Sequence, residues 1–137
     1  MPLSKTGTMG GAYLAQLPGR ASGDPFQEAE TAIPGDAVIG NSSNLFPIAQ
    51  GSYALNKATA AAITLQAPTL VQSGTVINFY SNTAAAHVIT ATTLLNDGLT
   101  GAPHTTATFA AFPGASITLC ASQGKWNVLG KNVVTIT

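Results

Sequence analysis

From Gly51 to Thr137 the side chains that carry charge are few: Lys57, His87, Asp97, His104, Lys125 and Lys131. Most of the rest is Ala, Thr, Ser, Val, Ile and Leu in short alternating runs. Tyr53 and Leu55 alternate with Ser52, Ala54 and Asn56; Ile63 and Leu65 with Thr64 and Gln66; Ile117, Leu119 and Ala121 with Ser116, Thr118 and Cys120. A period of two puts every second side chain on the same face of a pleated strand, so these runs predict half-buried strands.

Further β-branched and aromatic runs suit a sheet better than a helix: Thr75–Tyr80, His87–Thr92, Thr105–Phe109, Lys125–Leu129 and Val133–Thr137. Turn signals separate them at Ser73-Gly74, Asn82-Thr-Ala, Asn96-Asp97-Gly98, Pro113-Gly114, Gln123-Gly124 and Gly130-Lys-Asn. The expected fold is all-β, a compact antiparallel β-barrel or sandwich of about eight strands, jelly-roll-like topology included. Ile63, Leu65, Ile77, Phe79, Ile89, Phe109, Ile117, Leu119 and Val128 are its predicted core. The stretch Asn56–Ala62 is the exception, because its alanines favour helix.

The composition shifts near Gly51. Upstream, Pro2, Pro18, Pro25, Pro34 and Pro47 recur among Gly7, Gly10, Gly11, Gly19, Gly23, Gly35 and Gly40. That density of breakers predicts an extended N-terminal arm over residues 1–50, with the barrel domain at 51–137. Four of the five acids, Asp24, Glu28, Glu30 and Asp36, fall in the arm, where Asp24 is positioned to cap one helical turn. The arm is also too apolar for a simple solvated tail. Its expected partner-contact residues are Tyr13, Leu14, Leu17, Phe26, Ile33, Leu45 and Phe46. A chain beginning at Gly51 is expected to fold without them.

Charge bounds the function. Charged residues make up 7% of the sequence and the formal net charge is zero, whereas a self-contained small domain usually carries roughly 25–35% charge on its surface. A surface this neutral is suited to touching other protein. Zero net charge argues against nucleic acid, which requires clustered Lys and Arg, and Lys125, Trp126 and Lys131 do not make a stacking platform. Trp126 reads as a core or interface anchor. No run approaches the roughly 18 apolar residues of a spanning helix, and the N-terminus lacks the layout of a signal peptide. Cys120 is the one cysteine, so no intramolecular disulfide is available. A cytoplasmic origin follows as an expectation.

Candidate chemistry is sparse. His87, His104 and Asp97 contain the residue types of a two-histidine, one-carboxylate metal site, but no spacing supports one. His87 is expected instead to cap a strand and bond a backbone carbonyl. Cys120 lies in a strand with no basic neighbour to activate it, Asp97-Gly98 is an ordinary turn dipeptide, and no glycine loop has the Lys and helix of a phosphate site. Neither a catalytic residue nor a cofactor is expected.

The run Ser73-Gly-Thr-Val-Ile-Asn-Phe-Tyr-Ser-Asn-Thr-Ala-Ala-Ala-His-Val-Ile-Thr, followed by Gly124-Lys-Trp-Asn-Val and Val133-Val-Thr-Ile-Thr, resembles the head decoration, or cement, proteins of tailed bacteriophages. Similar sequences carry an Asp where this chain has Ser73, and related β-modules recur in phage fibres and spikes. The resemblance implies a homotrimeric β-barrel-like subunit on the outside of the virion, made in the host bacterial cytoplasm, whose arm lies on the major capsid protein. It implies no catalysis, membrane or nucleic acid. The competing expectations are a receptor-binding fibre or spike module with Tyr80, His104 and Phe112 on its loops, and a small hydrolase, disfavoured by the missing acid–base pair.

Overall fold

The computed structural model describes residues 29–42 and 46–137. Ten strands account for most of them: β1 (Glu30–Ile33), β2 (Ala37–Ile39), β3 (Gly51–Leu55), β4 (Ala62–Leu65), β5 (Val76–Ser81), β6 (Val88–Asn96), β7 (His104–Phe109), β8 (Ser116–Ser122), β9 (Lys125–Asn132) and β10 (Val134–Ile136). A single 3-10 turn at Leu70–Gln72 is the one helical element among the described residues. The chain is all-β.

The strands follow the order β1-β3-β5-β8-β9-β6-β4-β2, a nearly closed, barrel-like path, with β7 and β10 continuing from β6. Two parallel ladders form its first half. In one, Ala32 pairs with Ala54 and Ala54 with Tyr80; in the other, Ile39 pairs with Leu65, while Ile63 pairs with Ile89. The chain therefore coils, visiting one ladder and then the other. The β8–β9 hairpin bridges their ends, β8 antiparallel on β5 and β9 parallel on the last residues of β6. A bulge between Thr90 and Leu95 bends β6 so that it serves both sides, with Thr93 at φ 55° inside it.

The all-β, barrel-like architecture agrees with the alternation of the sequence, but pairing direction differs from the expected antiparallel arrangement. Among the described residues five strand pairings are parallel and four are antiparallel. Alternation reports which face a side chain takes and says nothing about strand direction.

The sheet also begins earlier than expected. β1 and β2 lie upstream of the Gly51 boundary, joined by the three-residue corner Pro34-Gly35-Asp36, and Ile33 and Ile39 are fully buried. Of the breakers that predict an arm, Pro34 and Gly35 instead sit at a corner between very short strands. Residues 46–50 pack on the same unit: Tyr53 Oη donates to the Pro47 carbonyl at 2.6 Å, and the Phe46 ring meets Tyr53 edge-on at 6.5 Å.

One core joins both ladders. Ile63, Leu65, Ile77, Phe79, Ile89, Phe109, Ile117 and Leu119 are all buried in it, and Val128 is half-buried against it. Trp126 is fully enclosed and donates from Nε1 to the Gln66 carbonyl at 3.0 Å. Asn56–Ala61 is a corner loop and Ala62 already opens β4, so the stretch is not a helix, because tertiary contacts to the neighbouring coils override alanine's local preference.

Candidate functional site

Three corners stack on one another where the chain passes between ladders: Pro34–Asp36, Asn56–Ala61 and Asn82–His87. Their polar groups bond from coil to coil. Asp36 Oδ1 accepts from the Ala62 backbone N–H at 2.9 Å and from Lys57 Nζ at 3.0 Å. The Asn82 side-chain amide donates to Asn56 Oδ1 at 2.8 Å, and Thr83 Oγ1 donates to the Lys57 carbonyl at 2.8 Å. The Ala62 N–H and the Lys57 ammonium, in that order of weight, hold the Asp36 carboxyl below its ordinary range.

His87 completes this stack from inside. It is fully buried, its Nδ1 accepts the Ala61 N–H at 3.0 Å, and its Nε2 lies 2.9 Å from Thr83 Oγ1. Since Thr83 Oγ1 donates its hydrogen to the Lys57 backbone carbonyl and Nδ1 accepts from Ala61, Nε2 carries the imidazole hydrogen and the ring is neutral. Burial, and then the Lys57 charge, lowers its pKa. Both ring nitrogens are committed to structure, but the backbone partner is the Ala61 N–H and not the expected carbonyl.

His104 and Asp97 do meet, Nε2 to Oδ1 at 3.2 Å but without hydrogen-bond geometry, while the Leu99 N–H donates to Asp97 Oδ1 at 3.0 Å. They fasten the Gly98–Gly101 loop to the start of β7. His87 belongs to the corner stack, so the three residues are not one site, and no group of three His, Cys, Asp or Glu converges among the described residues. Cys120 is half-buried on β8 with Sγ 3.7 Å from the Ala121 carbonyl.

The outer side of β2, β4, β6, β7 and β10 is a continuous face. Val38, Thr64, Thr90 and Thr106 form one cross-strand row, and Ala62, Val88, Thr108 and Thr135 another. No ionisable side chain stands in either row. Elsewhere large apolar side chains project singly: Val71 is 94% exposed, Leu70 69%, Phe112 65% and Leu129 62%. Tyr80 is half-buried.

Of the expected partner-contact residues, Tyr13, Leu14, Leu17, Phe26 and Leu45 lie outside the described residues. Ile33 is corrected: it is 0% exposed in the protein's own core, because β1 is an integral strand and alternation turns Ile33 inward. Phe46 is half-buried and packs against the same core. Sequence reasoning missed the corner stack, although a signal exists. Tyr53-x-x-Asn56-x-Ala58-x-Ala60-x-x-Ile63-Thr64 recurs as Phe79-x-x-Asn82-x-Ala84-x-Ala86-x-x-Ile89-Thr90, a fixed period that marks a repeated structural unit.

No protein-family model matches the chain, and comparison with curated proteins finds no match.

Proposed function

We propose that this protein is a structural subunit of a tailed-bacteriophage virion, a decoration or cement protein that sits on the outside of the head and stabilises the lattice of the major capsid protein. The observation that carries the reading is the uncharged five-strand face with rows Val38-Thr64-Thr90-Thr106 and Ala62-Val88-Thr108-Thr135. A neutral face of this breadth offers no like-charge repulsion to a neighbour and little desolvation cost on contact. A ligand that binds only the assembled lattice stabilises it by mass action. In this reading the N-terminal segment with Tyr13, Leu14, Leu17 and Phe26 adds contact area, the protein associates with itself as the trimer that the sequence resemblance implies, and no catalysis is assigned to it.

A phage fibre or spike module is the second reading. The parallel coil favours it, since stacked parallel rungs such as β3 on β5 and β4 on β6 can be continued along their stacking axis into a shaft.

Copy number separates the two. Purified particles should carry hundreds of copies for a cement and few for a fibre, by quantitative mass spectrometry. On heads stripped of the protein, Thr64→Lys combined with Thr108→Lys should reduce occupancy at least tenfold if this face docks; undiminished occupancy would remove the face from the proposal.

A further inference from the structure

β10 ends the neutral face, and among the described residues it pairs only with β7. Its inward hydrogen bonds fall on alternate residues. Thr137 and Thr106 exchange theirs, N–H to carbonyl, at 2.9 and 2.8 Å, and the Val133 carbonyl accepts from the Ala110 N–H at 2.9 Å. Thr135, opposite Thr108, sits midway between these two and bonds inward by the same alternation. The backbone N–H and C=O of Val134 and Ile136 therefore point away from β7, along an edge that no described strand covers.

The other ends of the sheet are guarded. β1 starts at the charged Glu30 and is followed by Pro34, while β2 comes directly after Asp36 and is bridged by Phe46 at Ile39. Charge, proline and a covering segment are the usual devices that keep an edge from pairing. Val134-Thr135-Ile136-Thr137 has neither charge nor proline. Ile136 stays half-buried against the core at this rim.

This edge is its own complement. Turned about a two-fold axis through Thr135, Val134 of one copy opposes Ile136 of the other, and each such pair exchanges both backbone bonds, about four in all. Registers centred on Val134 or Ile136 would form about two, because only one residue of each copy then meets an outward-bonding partner. The side chains agree with the central register. Val134 and Ile136 share the core face and meet each other's counterparts, whereas Thr135 meets Thr135 on the outer face, a favourable cross-strand pair. The row Ala62, Val88, Thr108, Thr135 runs on into the same row reversed, with no charge on either side to oppose it.

We propose that a second copy of this chain is the partner of this edge, held by antiparallel β10–β10 pairing about a two-fold axis, so that two five-strand faces become one of ten strands. A contact of this kind closes on two copies, so it is separate from any surface that builds a trimer. The inference goes beyond the virion reading and holds for the protein in solution.

A disulfide tests the register. Thr135→Cys is introduced into full-length Cys120→Ser protein, with Thr108→Cys in the same background as control; both positions are exposed on the outer face. Opposed residues of a non-hydrogen-bonded pair have Cα atoms about 4.5 Å apart, inside the range of about 4.4–6.8 Å that a disulfide requires. Thr108 of the two copies would lie three strand spacings apart, roughly 14 Å. Mild oxidation should convert Thr135→Cys protein almost fully into a disulfide-linked dimer, mapped by peptide mass, and leave Thr108→Cys protein unlinked. Failure of Thr135→Cys to link would overturn the proposal. Equal linking by both variants would also overturn it, in favour of two copies docked face to face. As an independent measurement, sedimentation equilibrium of the native chain should show association that Thr135→Lys weakens at least fivefold, since the substitution sets like charges directly opposite each other. No association of the native chain, or equal association of the two proteins, would refute the pairing.

Discussion

His87 Nδ1 accepts the backbone N–H of Ala61 at 3.0 Å across successive coils of the chain. That bond requires an unprotonated Nδ1, so acid acts on the fold through this ring. Burial and the Lys57 charge depress its folded pKa, whereas the unfolded chain titrates near the ordinary value of about 6.5. Below that pH the unfolded state binds the proton first and stability falls as pH drops, until the folded pKa is also passed. Asp36, also held below its ordinary value, adds a second loss only below about pH 4. Urea midpoints should therefore decline between pH 7 and 5 in the native protein. In His87→Asn that decline should be smaller; an equal decline would place the titrating group elsewhere.

Trp126 fills the core and ties β9 to the residue after β4 through the Gln66 carbonyl. Trp126→Ala should cost about 3–5 kcal/mol, the usual range for removing a large buried aromatic. Trp126→Phe keeps most of the apolar contact but leaves that carbonyl unpaired, a loss of about 1–3 kcal/mol. Chemical denaturation of the two variants measures both terms.

Gly51 opens β3 at φ 138°, and a Cβ there would stand 2.7 Å from the Ala29 carbonyl oxygen. Both the backbone conformation and the close approach of β1 demand glycine. Gly51→Ala should destabilise by about 1–3 kcal/mol, the scale of a strained backbone position, seen as a lower urea midpoint. A neutral result would mean that β1 moves aside at no cost.

A chain beginning at Gly51 should not fold as the sequence suggests. It lacks β1 and β2, removes Ile33 and Ile39 from the core, and leaves β3 and β4 with new bare edges. Its amide spectrum should be poorly dispersed and its unfolding non-cooperative. A chain beginning at Ala29 retains all ten strands and gives the comparison; a well-folded product from Gly51 would show that the first coil is dispensable.

The reach of the sequence follows from the range of each interaction. Alternation of apolar and polar residues is local, so the all-β class, the strands after Gly51 and core residues such as Ile63, Phe79 and Leu119 were legible without coordinates. The neutrality of the β2-β4-β6-β7-β10 face was legible too, as a shortage of charge, though not as one surface. The Asn56 and Asn82 repeat was present in plain residues, yet only its coil-to-coil bond shows that its period measures one turn of the chain. Strand direction, the inclusion of Glu30–Ile33 and Ala37–Ile39, and the burial of Ile33 were decided by tertiary structure. Two strands of four and three residues around a Pro-Gly corner carry too little local preference to announce themselves, and their ladder partners β3 and β4 lie more than twenty residues further along.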